Sequence, residues 1–355
     1  MRLEYGVIGD THLGFKAYGS ERRTHEVTET FAAAVELLSD CPTIVIPGDL
    51  FDDTTCSNSV KRSLIAIKEK YPEQEWVILG GNHDSTKTYS SVSVLDVFGE
   101  INKVTAVNGF EPVCIGVNGL SILCIPHMQS QQIFLRHIDE LIASGLAWDV
   151  CLMHCMINSG LELGPNDLNI DSYRLSRLAE KVKHIWIGHQ HGVDRILENV
   201  FIPGGLLEFN FGELGTKYVY RVCPDTNTVS KLVVPQQRRL KKIDLPWTGP
   251  VDILKTIAGL DTNIIYKLSV EGIPAEEYSS AKAAVDTAIA QFTGDVVYSL
   301  TKTGHKEIAV TEIDASFDLL QEFSHFATAN AISNQDKMMS LLEDAVSEVL
   351  AEEED

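Results

Sequence analysis

The chain has no apolar run long enough to cross a bilayer, which sets aside a helical membrane protein. It is short of positive charge: 29 Lys and Arg stand against 50 Asp and Glu, a net charge of −21. That balance argues against broad electrostatic binding of nucleic acid, although metals and a local basic patch can still supply positive charge where a phosphate sits. The first residues, Met1 to Gly9, read as a strand and lack the long apolar core and cleavage site of a signal peptide. A cytoplasmic protein is expected. Cysteine offers no disulfide framework: the seven are odd in number and scattered, several in apolar strand-like runs such as Ser121 to Ile125. They read as reduced and buried. Cys151 and Cys155 flank His154, but no second pair matches them, so structural zinc is not expected.

What is present is a set of five short motifs in order. They are Asp10-Thr11-His12, Gly48-Asp49-Leu50-Phe51-Asp52, Gly81-Asn82-His83-Asp84, Met153-His154 and Gly188-His189-Gln190-His191. Asp, Asn and His are the oxygen and imidazole donors that hold hard-to-borderline divalent metals. Each motif follows an apolar run: Tyr5–Gly9, Thr43–Pro47, Trp76–Leu79, Val150–Met153 and His184–Ile187. Helical spacing over Val27–Leu38 and Val60–Lys70 separates the first three runs. In open α/β sheets, ligands bind beyond the carboxyl ends of the strands, so distant pieces of chain should converge on one edge. Polar loop residues that merely follow strands would not explain Asp, Asn and His in five separate loops.

The chemistry follows from the donors. Asp49 has two carboxylate oxygens and is central in order, which makes it the natural bridge between two ions. Two metals about 3.5–4 Å apart stabilise the attacking and leaving oxygens of a phosphoryl displacement and activate a water as nucleophile. The leaving oxygen needs a proton, for which His is the usual donor at neutral pH. His83, beside the ligand-type Asn82, is expected to supply it, with Asp84 orienting its ring. Asp52 and Asp53 are expected to support the site or cap a helix rather than bind metal. His127 follows a strand and either is bland or lines the cleft. His184 is placed at the wrong end of its strand, and His25, His137, His305 and His325 read as surface or helix residues.

Beyond motif five, Thr216–Val222 and Val229–Val234 read as a hairpin around Pro224–Asn227. A boundary is expected near Pro235. The basic cluster Arg238–Lys242 is either a solvated face or a contact for DNA or a partner. Helix, strand, helix, strand over Val251–Gly259, Asn263–Val270, Glu276–Phe292 and Val296–Thr301 would make a small second α/β domain. Past Thr311 the pattern turns helical, with Phe317, Leu320, Phe323 and Phe326 on one face and a second helix over Lys337–Leu350. That pair either folds back on its own domain or lies in a partner's groove.

These motifs resemble the calcineurin-like metallophosphoesterase superfamily. Within it, motifs two and three look most like the nuclease subunits of SbcCD-type double-strand-break repair and recombination complexes, the SbcD-like proteins and the recombination endonuclease subunits of tailed phages. Ile202–Leu206 and Gly215–Tyr220 are similar to that family's glycine turn and closing strand. The resemblance implies a four-layer α-β-β-α metallophosphoesterase sandwich with a smaller α/β capping domain and a C-terminal helix pair. Its domains would be 1–235 for the nuclease, 236–310 for a DNA-binding cap, and 311–355 for helices docking an SMC-like ATPase of the SbcC type, with an acidic tail.

It further implies that Asp10, His12, Asp49 and His191 hold one divalent ion, and Asp49, Asn82, His154 and His189 the other, with Mn²⁺ the usual metal. His83 would be the acid that holds no metal. A DNA exonuclease or endonuclease acting in replication, recombination and repair is then expected, as a homodimer, in the cytoplasm of a bacterial cell or phage-infected host. Thr11 departs from the Asn or Trp often found there, and motif four stands alone. The alternative on the same fold is a phosphatase or small-molecule phosphodiesterase. The protein phosphatase pattern at motifs two and three is absent, however, and a non-enzymatic scaffold would be expected to have lost ligands.

Overall fold

Side-chain alternation along the buried strands sets the layering. In the computed structural model, which describes residues 4–17, 22–86, 91–157 and 167–303, the strand Thr43–Ile46 is buried along its whole length. Ile44 and Ile46 turn one way and Val45 the other, into two different hydrophobic clusters. Strands buried on both faces are what a parallel sheet covered on both sides requires. The helix pair expected over 311–355, together with His305 and His325, lies outside the described residues.

Two six-stranded sheets carry the site. The first runs Thr228–Val233, Tyr218–Cys223, Tyr5–Val7, Thr43–Ile46, Glu75–Leu79, Val104–Val107 in spatial order. Its last four strands are parallel, and Tyr218–Cys223 joins antiparallel to Tyr5–Val7. The second runs Asp194–Leu197, Val200–Ile202, Val182–Gly188, Trp148–His154, Leu120–Ile125, Val113–Val117. Its middle strands are parallel, with an antiparallel strand at each edge.

Between the sheets lies one cluster, drawn from Val45, Val77 and Leu79 on one side and Ile122, Leu152 and Trp186 on the other. The Trp186 indole N–H donates to the Tyr5 hydroxyl across it at 3.1 Å, so the polar atoms of two large buried rings satisfy each other. The outer face of the first sheet packs on helices Arg22–Leu37, Asn58–Glu69 and Val94–Phe98 through Phe31, Leu64 and Phe98. The outer face of the second packs on Gln131–Ala143 and Ser172–Ala179 through Phe134, Ile138 and Leu175. The result is the four-layer α-β-β-α sandwich.

A third sheet, all parallel, follows: Arg239–Pro246, Ile264–Ile273 and Val296–Lys302. Helices Pro250–Ala258 and Tyr278–Gln291 cover one face through Ile253, Ile257, Ala281 and Val285. On the other face Leu240 and Ile265 meet Phe211 of the preceding segment.

The first of these strands corrects the reading of the basic cluster. Arg238 is buried, with Nη1 2.6 Å from Asp295 and a further pairing to Glu26, which also holds the buried Arg23 at 3.0 Å. Arg239 pairs with Glu208 at 2.6 Å, and Leu240 faces the core. Lys241 and Lys242 are exposed. Both arginines therefore tie the third sheet to the sandwich, and residues 1–303 form one compact unit. No described helix is long and apolar enough to cross a membrane.

Candidate metal centre

All five motifs sit at the carboxyl ends of parallel strands, those after Tyr5–Val7, Thr43–Ile46 and Glu75–Leu79 in one sheet and those ending Trp148–His154 and Val182–Gly188 in the other. The chain turns sharply there. His12, Asp49 and His189 adopt left-handed backbone, with φ of 51°, 47° and 87°, a conformation that costs a side-chain-bearing residue about 1–3 kcal/mol. The glycines opening motifs two and three answer to space. A Cβ on Gly48, whose φ is 121°, would sit 2.0 Å from His154 Nδ1, and one on Gly81 would sit 2.1 Å from Asp49 Oδ1. The site side chains lie directly on these two backbones.

Two donor groups result. Asp10, His12 and His191 bring one ligand atom each within 4.8 Å of the others, and so do Asp49, His154 and His189. The Nε2 atoms of His12 and His191 face each other at 3.0 Å. Asn82 Oδ1 lies 2.9 Å from His154 Nε2 and 3.0 Å from His189 Nδ1. Asp49 reaches both groups through one atom: Oδ2 is 3.2 Å from His154 Nε2 and 3.8 Å from His12 Nε2. Its other oxygen accepts the His83 amide at 3.0 Å. Asp10 Oδ2 accepts the His189 amide at 2.7 Å, whereas Oδ1 is buried with no hydrogen-bond partner. An orphaned buried carboxylate oxygen beside converging imidazole nitrogens fits divalent cations, and the Asp, Asn and His donor set suits Mn, Fe or Zn.

The charges are tightly coupled. Burial favours a protonated Asp49, but the imidazoles of His154 and His12 outweigh it and hold the carboxyl well below the usual range. Burial works against a His154 cation, yet Asp49 beside it lifts the pKa to about 9. For His189, burial and the neighbouring His154 both push down, to about 4.

Two expectations change, for Asp84 and His184, while Asp52 supports the site as expected. Asp84 does not orient the His83 ring. Its fully buried carboxylate accepts the amides of Gly81 at 2.7 Å and Leu50 at 2.8 Å, clamping motif three to motif two. Burial, then the charge of Asp49, pushes its pKa up to about 7. The His83 ring is held instead by the Asp52 carbonyl, 2.8 Å from Nδ1. Asp52 also places a carboxylate oxygen 3.2 Å from His12 Nδ1, forming a third donor group with His12 and His83. His184 lies inside the strand Val182–Gly188 and is buried, not at a loop end. His127 is near the cleft, its ring centroid 6.5 Å from that of His154.

Sequence reading did not single out Glu213, Asp167 or Phe209. Glu213 Oε2 lies 3.0 Å from His191 Nδ1 and Asp167 Oδ1 3.5 Å from His189 Nε2. Phe209 packs against the rings of both His12 and His191, at 4.9 and 5.1 Å between centroids. None belongs to a motif, and only the fold brings them to the site.

Comparison with known proteins gives the following. The family described as Calcineurin-like phosphoesterase matches residues 3–193. The DNA double-strand break repair protein Mre11 of Sulfurisphaera tokodaii is 31% identical over 91 residues, 24% of this chain and 23% of that protein. The Mre11 of Sulfolobus acidocaldarius is 31% identical over 103 residues, 27% of this chain and 26% of the relative. That of Saccharolobus solfataricus is 24% identical over 125 residues, 34% and 32% respectively. The matched stretches thus span about a quarter to a third of these relatives. A solved structure of Vps29 with zinc from Entamoeba histolytica covers 65% of this chain and 98% of its own, at 11% identity and a TM-score of 0.25.

Proposed function

The chain belongs to the calcineurin-like phosphoesterase family, and we propose that within it this protein is a two-metal DNA nuclease that hydrolyses phosphodiester bonds in end processing, recombination and repair. One observation carries the reading: a single oxygen of the Asp49–His154–His189 group, Asp49 Oδ2, also comes within 3.8 Å of His12 Nε2 in the Asp10–His12–His191 group. In this reading Asp10, His12, Asp49 and His191 hold one ion and Asp49, Asn82, His154 and His189 the other, with manganese as the metal. Two such ions would supply Lewis acidity at the attacking and leaving oxygens and an activated water.

The chain's own residues do the rest. Asp84 and the glycines fix motifs two and three against each other. His83, fixed through Nδ1 and with its side chain 42% exposed, presents a proton to the leaving oxygen. DNA as substrate is supported by the similarity to three DNA double-strand break repair proteins. It is also supported by Lys242 and Lys267, exposed cross-strand neighbours of the third sheet. In the same proposal residues 236–310 are a DNA-binding cap, the protein is a cytoplasmic homodimer, and an SMC-like ATPase docks on 311–355.

The net charge of −21 favours the second reading, a phosphatase or small-molecule phosphodiesterase. Incubation with manganese and linear DNA, with para-nitrophenyl phosphate in parallel, separates the two. Metal-dependent shortening of DNA is the expected result. Turnover of the small ester with DNA left intact would overturn the nuclease reading.

A further inference from the structure

Four imidazoles line the centre, and each has an oxygen behind the nitrogen that faces away from the donor groups. His12 Nδ1 has Asp52 Oδ1 at 3.2 Å, and His154 Nδ1 has the Pro47 carbonyl at 3.0 Å. His189 Nε2 has Asp167 Oδ1 at 3.5 Å, and His191 Nδ1 has at 3.0 Å the Glu213 Oε2, a buried oxygen with no hydrogen-bond partner of its own elsewhere. A neutral imidazole carries one N–H and one lone pair, and an oxygen behind one nitrogen draws the N–H there, leaving the lone pair on the other.

Resting on the two-metal reading above, we infer that Glu213 is a positioning residue: its carboxylate fixes the tautomer and tilt of His191 so that Nε2 presents its lone pair to the Asp10–His12–His191 group. Glu213 is built for this. Its other oxygen accepts the Asn210 side-chain amide, and its own N–H bonds the Asn210 carbonyl at 3.1 Å. Asn210 is in turn tied to the Gly212 amide at 2.7 Å. The carboxylate is thus held by a closed turn that does not depend on His191. Among the described residues it joins none of the three-donor groups, and in this inference it acts through the ring. Phe209, packed on the same ring at 5.1 Å between centroids, leaves the imidazole little freedom except rotation, which the carboxylate opposes. His154 has a backbone carbonyl in the equivalent place, which no side-chain substitution removes. At His191 the tether can be removed.

The test is calorimetric titration of manganese into the full chain and into Glu213→Ala and Glu213→Gln, with visible spectra of the cobalt-loaded forms. Alanine is expected to weaken one of two binding events by about 10–100-fold, to leave the other unchanged and to shift the cobalt bands. Glutamine keeps an acceptor oxygen and should give an intermediate loss confined to the same event. Should the alanine variant fail to fold, that single-event loss in the glutamine variant still carries the inference, and a glutamine variant indistinguishable from wild type overturns it. Equal weakening of both events, or a drop in melting temperature of the metal-free protein with no change in either event, also overturns it. Failure of wild type to bind two ions would overturn the two-metal reading, and this inference with it. Two ions in wild type with unaffected variants removes only the role of Glu213.

Discussion

The Nε2 atoms of His12 and His191 lie 3.0 Å apart although 179 residues separate them in the chain. One belongs to the loop after the first strand of one sheet and the other follows the strand Val182–Gly188 of the second. The centre therefore reports on the packing of the two sheets against each other, and each prediction below perturbs one link in it.

Asp49→Asn should cost both ions, because the atom lost as an anion is the one near both groups, 3.2 Å from His154 and 3.8 Å from His12. Metal analysis of the purified variant should find close to none. One ion per chain would show that Asp49 serves a single position.

His83→Gln should keep both ions and lose phosphodiester cleavage by about 10²–10⁴-fold, the usual contribution of general acid catalysis. The ring bonds the Asp52 carbonyl and lies outside both main donor groups. Metal content measured beside the rate decides it: lost ions make His83 a ligand, and an unchanged rate takes it out of the mechanism.

Gly48→Ala should displace His154 and strip the second position, since the new Cβ would meet His154 Nδ1 at 2.0 Å in a left-handed backbone. Destabilisation on the order of 2 kcal/mol is expected. Gly109→Ala, with nothing within 4 Å of the added atom, is the control. Equal metal content and melting temperature in the two variants would refute the steric account.

Glu208→Gln should loosen the third sheet. The buried carboxylate accepts from Arg239 at 2.6 Å, from the Leu240 amide at 2.7 Å and from the Gly215 amide at 2.8 Å. Burial raises its pKa, but these donors outweigh burial and hold it below the ordinary value. Its contribution is therefore present above the unfolded pKa of about 4.3 and fades as pH falls through the lower folded value. At pH 7 the variant should lose on the order of 2 kcal/mol. Denaturant melts below pH 4 should show the gap to wild type shrinking, and a gap independent of pH would exclude the charge as its source.

If the proposed nuclease and its proposed ATPase partner are right, a chain ending at Thr303, the limit of the compact unit, should remain metal-loaded and cleave single-stranded DNA but no longer co-purify with an SMC-like ATPase. Aggregation or metal loss would instead make residues 304–355 part of the catalytic fold.

The convergence of the Asp, Asn and His side chains was legible because each ends an apolar run, and strand ends converge by topology alone. Asp84 was misread because a carboxylate next to a histidine suggests a side-chain pair, whereas its partners are backbone amides brought near only by the fold. The strand Arg239–Pro246 was missed because Leu240 is the only apolar residue in its first four, so charge masked the alternation. Glu213 is separated from His191 by the strands Asp194–Leu197 and Val200–Ile202, it belongs to no motif, and nothing in spacing joins the two.

His12, Asp49 and His189 are held in left-handed backbone, where glycine or asparagine would sit more comfortably. The protein's fitness for chemistry and its resistance to unfolding thus pull in opposite directions at the same three codons. Directed evolution scored on thermal survival alone would drift toward those replacements and erase the centre. Any campaign to harden this enzyme must select on turnover in every round or hold those three positions fixed.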